Sequence, residues 1–332
     1  MELRKGSAAQ GHQVSVLTYP EWGAPTVSFE EYREREVQFR ASEFGQTLVT
    51  DYVLVPTTDH STLDLRGYLE VFAQRCILWP PTALAPICVD AFSVASLFTP
   101  ENHRRKGYGA ITLQAFLARQ RSDYIVSNLY SDIGTKLYLA NGWSPHPSDE
   151  IVLPADFDVS LVPVAASAPV VLTVIDSMDV LTAIAARDQA DMQADLQPGQ
   201  VGFLLTAEYI AYFHAKYKYF ATHRLGLADL PTSYGLCVRD LATNELRGYV
   251  LYAYNFEDDQ LDVLKYRALG ADVFDLSSVG LWPTSAMELP FEIAKRRTPR
   301  SDSLSMLLVE AAAGRAPVTG LEWVANEKYL YA

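Results

Sequence analysis

The sequence predicts a mixed α/β (α+β) protein of two consecutive domains, and three observations carry that prediction. The first half reads helix, three meandering strands, helix, strand, helix, which excludes a plain alternation of strands and helices. The second half faintly repeats that order, as a divergent copy would. Between them lies a proline- and alanine-rich stretch, Pro145–Pro169, so the domains are expected at residues 1–150 and 151–332.

The first helix is expected near Ser28, which has capping-box spacing to Glu31 and opens the charged run Glu30–Arg40. No strand or helix is read before it. Strands rich in β-branched and aromatic residues follow at Thr50–Val55, Tyr68–Trp79 and Ile87–Phe98. The turn-like Asp59–Thr62 separates the first two, and Pro80, Pro81 and Pro86 separate the second from the third. A basic glycine loop after Thr99-Pro100 leads into a helix over Ala110–Arg121, with Ile111, Ala115, Leu117 and Ala118 toward one face. Tyr124–Tyr130 reads as a strand, and Thr135–Ala140 as a short helix ended by Asn141-Gly142. Beyond the boundary come helices at Asp179–Leu196 and Thr206–Thr222 and strands at Tyr234–Arg239, Arg247–Tyr254 and Leu261–Ala268. A helix at Ser303–Ala313 and a strand at Leu321–Ala325 finish the chain.

Composition bounds the function. Apolar residues make up 49% and charged residues 20% of 332, an ordinary globular balance. Cys76, Cys88 and Cys237 are too few and too isolated for a disulfide framework or a zinc site; they read as reduced thiols of a cytoplasmic protein, and no metal is expected. Met1–Gln10 lacks the apolar core of a signal peptide, and no apolar run nears the ~20 residues that span a bilayer, so no membrane partner is expected. A net charge of −13 opposes nucleic acid and complements cationic ligands.

The chemistry is expected in Val94–Gly109. There an apolar strand ends in Arg104-x-x-Gly107-x-Gly109 and a helix begins at once. Glycines let backbone N–H groups face an anion, the helix start adds about half a positive charge, and Arg104, Arg105 and Lys106 add full ones. Together they make a diphosphate cradle. The P-loop spacing is absent, and so is the third glycine of a dinucleotide fingerprint.

Arg-x-x-Gly-x-Gly, followed downstream by Tyr138-Leu-Ala-Asn-Gly142-Trp143, resembles the coenzyme A loop and the closing Tyr-x-x-x-Gly-Phe element of the GNAT acyltransferase superfamily. Ser96–Pro100, Arg105–Gly109 and Leu129–Gly134 narrow the resemblance to the fungal lysine N-acetyltransferases of lysine breakdown, which carry a second domain of comparable size. The resemblance implies a GNAT fold with a mixed central sheet, acetyl-coenzyme A as cofactor and a small cationic amine, L-lysine first, as acceptor. Acetylation of a peptide amine, or a GNAT fold that only binds, are the alternatives.

It further implies that Arg104, Arg105, Lys106, Gly107, Tyr108 and Gly109 hold the cofactor, and that the N–H groups of Leu97 and Phe98 polarise the acetyl carbonyl. Tyr138 becomes the acid for the departing thiolate. Ser131, seven residues before it, stands where many members have asparagine and is a further cofactor contact. A carboxylate should attract the amine and take its proton; Asp132, at a strand end, ranks ahead of Asp90 and Glu70. Asp188, Asp191 and Asp195 read as a solvated helical stripe. His214 and His223 lack metal-ligand spacing, and the aromatics from Tyr209 to Phe220 read as core.

Overall fold

The computed structural model describes residues 1–153, 169–256, 259–268, 279–281, 295–312, 315 and 318–327. In chain order these form β1 (Glu2–Lys5), α1 (Ala8–Trp22), α2 (Phe29–Ala41), α3 (Glu43–Leu48), β2 (Val49–Val55), β3 (Gly67–Trp79), β4 (Ile87–Phe98), α4 (Tyr108–Leu117), β5 (Tyr124–Ser131), α5 (Lys136–Leu139) and β6 (Ser144–Pro145). Then follow β7 (Asp149–Val152), β8 (Val170–Ile175), α6 (Met178–Asp195), β9 (Gln200–Phe203), α7 (Ala207–Leu225), β10 (Gly235–Asp240), β11 (Leu246–Asn255) and β12 (Gln260–Ala268). The run ends with β13 (Val279–Leu281), β14 (Thr298–Pro299), β15 (Leu304–Ala311) and β16 (Glu322–Trp323).

These elements build two units: Met1–His146 with Asp302–Leu321, and Pro147–Ser301 with Glu322–Tyr331. Where one crossing was expected near residue 150, the chain crosses at 147 and crosses again at 302 and 322. Most of the expected boundary stretch, residues 154–168, lies outside the described residues.

Along the path β1-β2-β3-β4-β5-β15-β6 the first sheet is antiparallel except for the parallel pair β4–β5. One face carries Leu54, Leu69, Val71, Phe92, Val94 and Leu129, packed with Leu113 and Phe116 of α4, Tyr138 of α5, and Trp143. The other face carries Val53, Val55, Tyr68 and Phe98 against Val14 of α1.

Two expectations fail here for identifiable reasons. Residues before Ser28 form β1 and α1, the latter opened by a reciprocal Ser7–Gln10 capping box. The buried residues of α1 are Gln10, Val14, Ser15 and Thr18, so its inward face shows almost no apolar periodicity. Of Ser303–Ala313, expected as a helix, Leu304–Ala311 is the strand β15, paired with β5 from Leu304–Ser131 to Ala311–Tyr124, and Ala313 lies outside the described residues. Ser305–Leu308 are buried in succession because β15 lies inside the sheet, and that packing overrides the helical preference of Leu, Met, Glu and Ala. Burying Met306, Leu307 and Leu308 contributes about 1.5–3 kcal/mol each, a sum comparable with a domain's net stability. The first unit is therefore not the segment 1–150.

The second sheet repeats the plan. Its order is β14-β7-β13-β12-β11-β10-β8, and its one parallel pair, β12–β13, holds the same place as β4–β5. In both units two longer helices intervene between the first strand and its sheet neighbour. The echo between the two halves is thus a repeat of topology.

Candidate active site

β4 and β5 pair at only three positions, Ala91–Val126, Phe92–Ser127 and Ser93–Asn128. Beyond Ser93 and Asn128 both strands run on, to Phe98 and Ser131, without pairing to each other, which opens a gap at their C-terminal ends. β4 also bulges there. Its register against β3 slips between Tyr68–Phe98 and Glu70–Ala95, and Ser96 takes a left-handed φ of 51°. The extra residue shifts the side-chain alternation: Val94 and Leu97 pack on the α4 face, whereas Phe98 joins the α1 face. Such a bulge re-aims backbone groups at Leu97 and Phe98, the two residues expected to polarise a carbonyl.

The loop after β4 places the residues expected to form the cradle at the start of α4. Gly107 caps α4 with a left-handed φ of 81°, and among the described residues no side chain caps the first turn. A Cβ at Gly107 would meet nothing within 4 Å, so the approach to these N–H groups is open. Arg104, Arg105 and Lys106 are exposed beside it. Arg104 pairs with Glu21, and its Nε donates to Thr99 O at 3.1 Å; the Lys106 ammonium donates to Asn102 O at 2.9 Å. A Cβ at Gly109 would lie at ordinary contact distance, 3.6 Å, from Leu137 Cδ2, so α5 lies beside the start of α4. Tyr108 is half-buried and packs on the α4-face core.

α5 follows β5 and carries Tyr138, buried and edge-to-face with Trp143 at 6.3 Å. Burial pushes the Tyr138 phenol up to about 12; the Asp132 charge adds to this and the Ser131 hydroxyl opposes it. Ser131 is buried and donates to Gly134 O at 2.6 Å. Asp132 is exposed, and its Oδ1 accepts from Ser303 N at 2.9 Å and Ser303 Oγ at 3.2 Å, tying the end of β5 to the start of β15. The structure therefore gathers Arg104–Gly109, Leu97, Phe98, Ser131, Asp132 and Tyr138 around the C-terminal ends of β4 and β5. Asp90 is exposed at the opposite end of β4, next to the first parallel pair.

On the face covered by α1 lies a group that sequence reasoning saw only in part. Glu70 of β3 accepts from Ser96 Oγ at 2.9 Å and from Arg40 of α2, and the Tyr68 hydroxyl lies 2.6 Å from it. Arg40 Nε also donates to Asp51 Oδ2 at 2.8 Å. Burial alone would raise Glu70, but Arg40 and the Tyr68 and Ser96 hydroxyls outweigh it and hold the carboxyl below its ordinary range. Glu36, paired with Arg35 at 2.8 Å, moves up instead, through burial first and then the Glu70 charge. The missed signal was helical spacing: Tyr32, Glu36 and Arg40 fall at i, i+4 and i+8 of α2, polar residues on its inward stripe.

The second unit has a bulge at the corresponding place, with different contents. The β12–β13 pairs end at Val263, and the register slips at the next residue, Leu264. The N–H just past that bulge, on Tyr266, donates to Glu327 Oε1 at 3.3 Å, and Glu327 Oε2 pairs with the buried ammonium of Lys265. The ten residues joining β12 to β13 contain no Arg-x-x-Gly-x-Gly. Asp188 and Asp191, expected in a solvated stripe, are turned inward: Asp188 is fully buried and accepts from the Tyr249 hydroxyl, with Lys265 at 3.9 Å and Arg267 at 4.0 Å. Arg267 also reaches Asp195 at 2.6 Å. His214 is held neutral by burial, at about 4, with Nε2 2.7 Å from Tyr252 O. Among the described residues no group of His, Cys, Asp and Glu could hold a metal, and no helix is long and apolar enough to cross a membrane.

No protein-family model and no curated protein matches the sequence. Solved structures do match. The GCN5-related N-acetyltransferase of Kribbella flavida aligns with a TM-score of 0.56 at 14% identity, over 92% of this chain and 71% of that one. A probable N-acyltransferase of Enterococcus faecalis gives 0.55 at 11% identity, over 92% and 71%. The GCN5-related N-acetyltransferase of Anabaena variabilis gives 0.54 at 14%, over 92% and 72%. With the opened parallel pair, the bulged β4 and the glycine-led α4 already in place, the chain has the GCN5-related N-acetyltransferase (GNAT) fold.

Proposed function

We propose that the chain transfers acetyl from acetyl-coenzyme A to a small cationic primary amine, with N6 of L-lysine the leading acceptor. The observation that supports this best is the shared end of β4 and β5, where the open gap, the glycine-led start of α4 and Tyr138 adjoin. The donor set suits a diphosphate: N–H groups at a helix start with no side-chain acceptor, an open glycine and three basic residues. Arg104, Arg105, Lys106 and the Gly107–Gly109 backbone would hold it. Acetyl-coenzyme A supplies a thioester, the electrophile.

The N–H groups of Leu97 and Phe98, re-aimed by the bulge, would donate to the acyl oxygen as charge grows on it. An acceptor amine of pKa ~10.4 costs roughly 4–5 kcal/mol to deprotonate at pH 7. Asp132, one oxygen engaged by Ser303, would draw the ammonium toward the gap and help shed its proton. Nitrogen loses one proton as the C–N bond forms, and sulfur gains one as the C–S bond breaks. Tyr138 stays a phenol at neutral pH. Full proton transfer from a group near 12 to a thiolate of pKa ~8.5 is uphill by about 5 kcal/mol, so Tyr138 would act chiefly by hydrogen bonding the charge developing on sulfur.

The net charge of −13 and the resemblance to lysine N-acetyltransferases support a cationic acceptor. Because Glu327 takes the N–H past the second bulge and the second loop lacks the glycine pattern, each chain should bind one acetyl-coenzyme A. Calorimetric titration of the full chain should give a stoichiometry near one; a value near two, or none, would contradict this reading.

A further inference from the structure

Ser96 is a non-glycine residue in the left-handed region, in the bulge that sets the direction of the next two N–H groups. A conformation of that kind costs on the order of 1–3 kcal/mol and persists only where surrounding contacts hold it. One such contact is specific: Ser96 Oγ donates to Glu70 Oε2 at 2.9 Å. The other oxygen of Glu70 is held by Arg40 of α2, with the Tyr68 hydroxyl at 2.6 Å, and Arg40 is steadied by Asp51 on β2. Side chains of β3, β4 and α2 thus meet at a single carboxylate, with Asp51 of β2 behind Arg40, and that carboxylate grips the bulge.

We propose that Glu70 is a positioning residue: through Ser96 it fixes the β4 bulge, and so the aim of the Leu97 and Phe98 N–H groups, while Arg40 ties α2 to the same carboxylate. This rests on the acyl-transfer reading above. It also assigns Glu70 a task other than taking the amine's proton, for which its engaged oxygens and lowered basicity are unsuited. A carboxamide at 70 can still accept from Ser96, so the conservative change should rescue what truncation destroys.

The test compares Glu70→Ala, Glu70→Gln, Ser96→Ala and Ser96→Gly in the full chain by acetyl-coenzyme A binding, steady-state kinetics with the amine, and amide NMR of Leu97 and Phe98. Glu70→Ala and Ser96→Ala should lower kcat about 10–100-fold, as displaced carbonyl donors do, with acetyl-coenzyme A affinity nearly unchanged. Ser96→Gly should fall with them, since it removes the grip as well as the strain. Glu70→Gln should lose about threefold or less and keep the wild-type pH profile. The Leu97 and Phe98 amide signals should shift in Glu70→Ala and Ser96→Ala and stay near wild type in Glu70→Gln. If Glu70→Gln falls as far as Glu70→Ala and the acidic limb of kcat/KM disappears, Glu70 is a proton acceptor and the proposal is wrong. Unchanged kcat in Ser96→Ala would overturn it as well. If the wild-type chain releases no thiol, the acyl-transfer reading fails by itself, and the amide shifts alone then decide whether Glu70 holds the bulge.

Discussion

Gly107→Val should abolish measurable acetyl-coenzyme A binding, a loss of at least about a hundredfold or ~2.7 kcal/mol, while the chain stays folded. Gly107 holds φ 81° as the N-cap of α4, a conformation that is a genuine outlier for a β-branched residue. A Cβ there points into open space, so nothing in the core is displaced and the thermal midpoint should move by only a few degrees. What changes is the cradle itself. The loop must either distort to relieve φ, turning the first N–H groups of α4 away, or hold a branched side chain where a phosphate would sit. Gly107→Ala should fall between the two. Calorimetry giving the wild-type dissociation constant for Gly107→Val would remove the loop from the site.

Tyr138→Phe should lower kcat by about a hundredfold and leave acetyl-coenzyme A affinity intact, because hydrogen bonds to charged groups contribute roughly 1.5–3 kcal/mol. The change deletes one hydroxyl and little volume, so the edge-to-face contact with Trp143 survives. The pH dependence carries a second signature. A phenol near 12 does not titrate below about pH 11, so any limb of the rate profile between pH 8 and 10 belongs to another group, the acceptor amine first, and should persist in the variant. Loss of less than threefold with an unchanged thermal midpoint would show that Tyr138 only packs.

Much of the first unit was legible because its signals are local. The Ser28–Glu31 capping box appears as drawn, and the three long strands fall within a residue or so of their expected limits. The glycine-led start of α4 was readable for the same reason: glycine spacing, basic residues and a helix start are neighbours in sequence. The illegible parts depend on distant partners. β15 is a strand only because β5 and β6 flank it. Asp188 looks like a solvated residue until Tyr249, Lys265 and Arg267 turn it inward. Glu70 could be ranked as a strand carboxylate, but nothing in the sequence places Arg40 and Ser96 on its two oxygens. Asp132 was placed at the end of β5 as expected, yet its partner Ser303 lies 171 residues away.

Thiol release tests most directly whether this chain moves acetyl groups from coenzyme A to a small amine. The full chain would be incubated with acetyl-coenzyme A and, separately, L-lysine, a polyamine and a histone-like peptide, with free thiol followed in time and the acetylated product identified by mass. Amine-dependent thiol release is expected, with the highest kcat/KM for free L-lysine, acetylated at N6. A polyamine in first place would keep the acceptor class and replace its leading member. Preference for the peptide, or no release above the amine-free blank with any of the three, would contradict it.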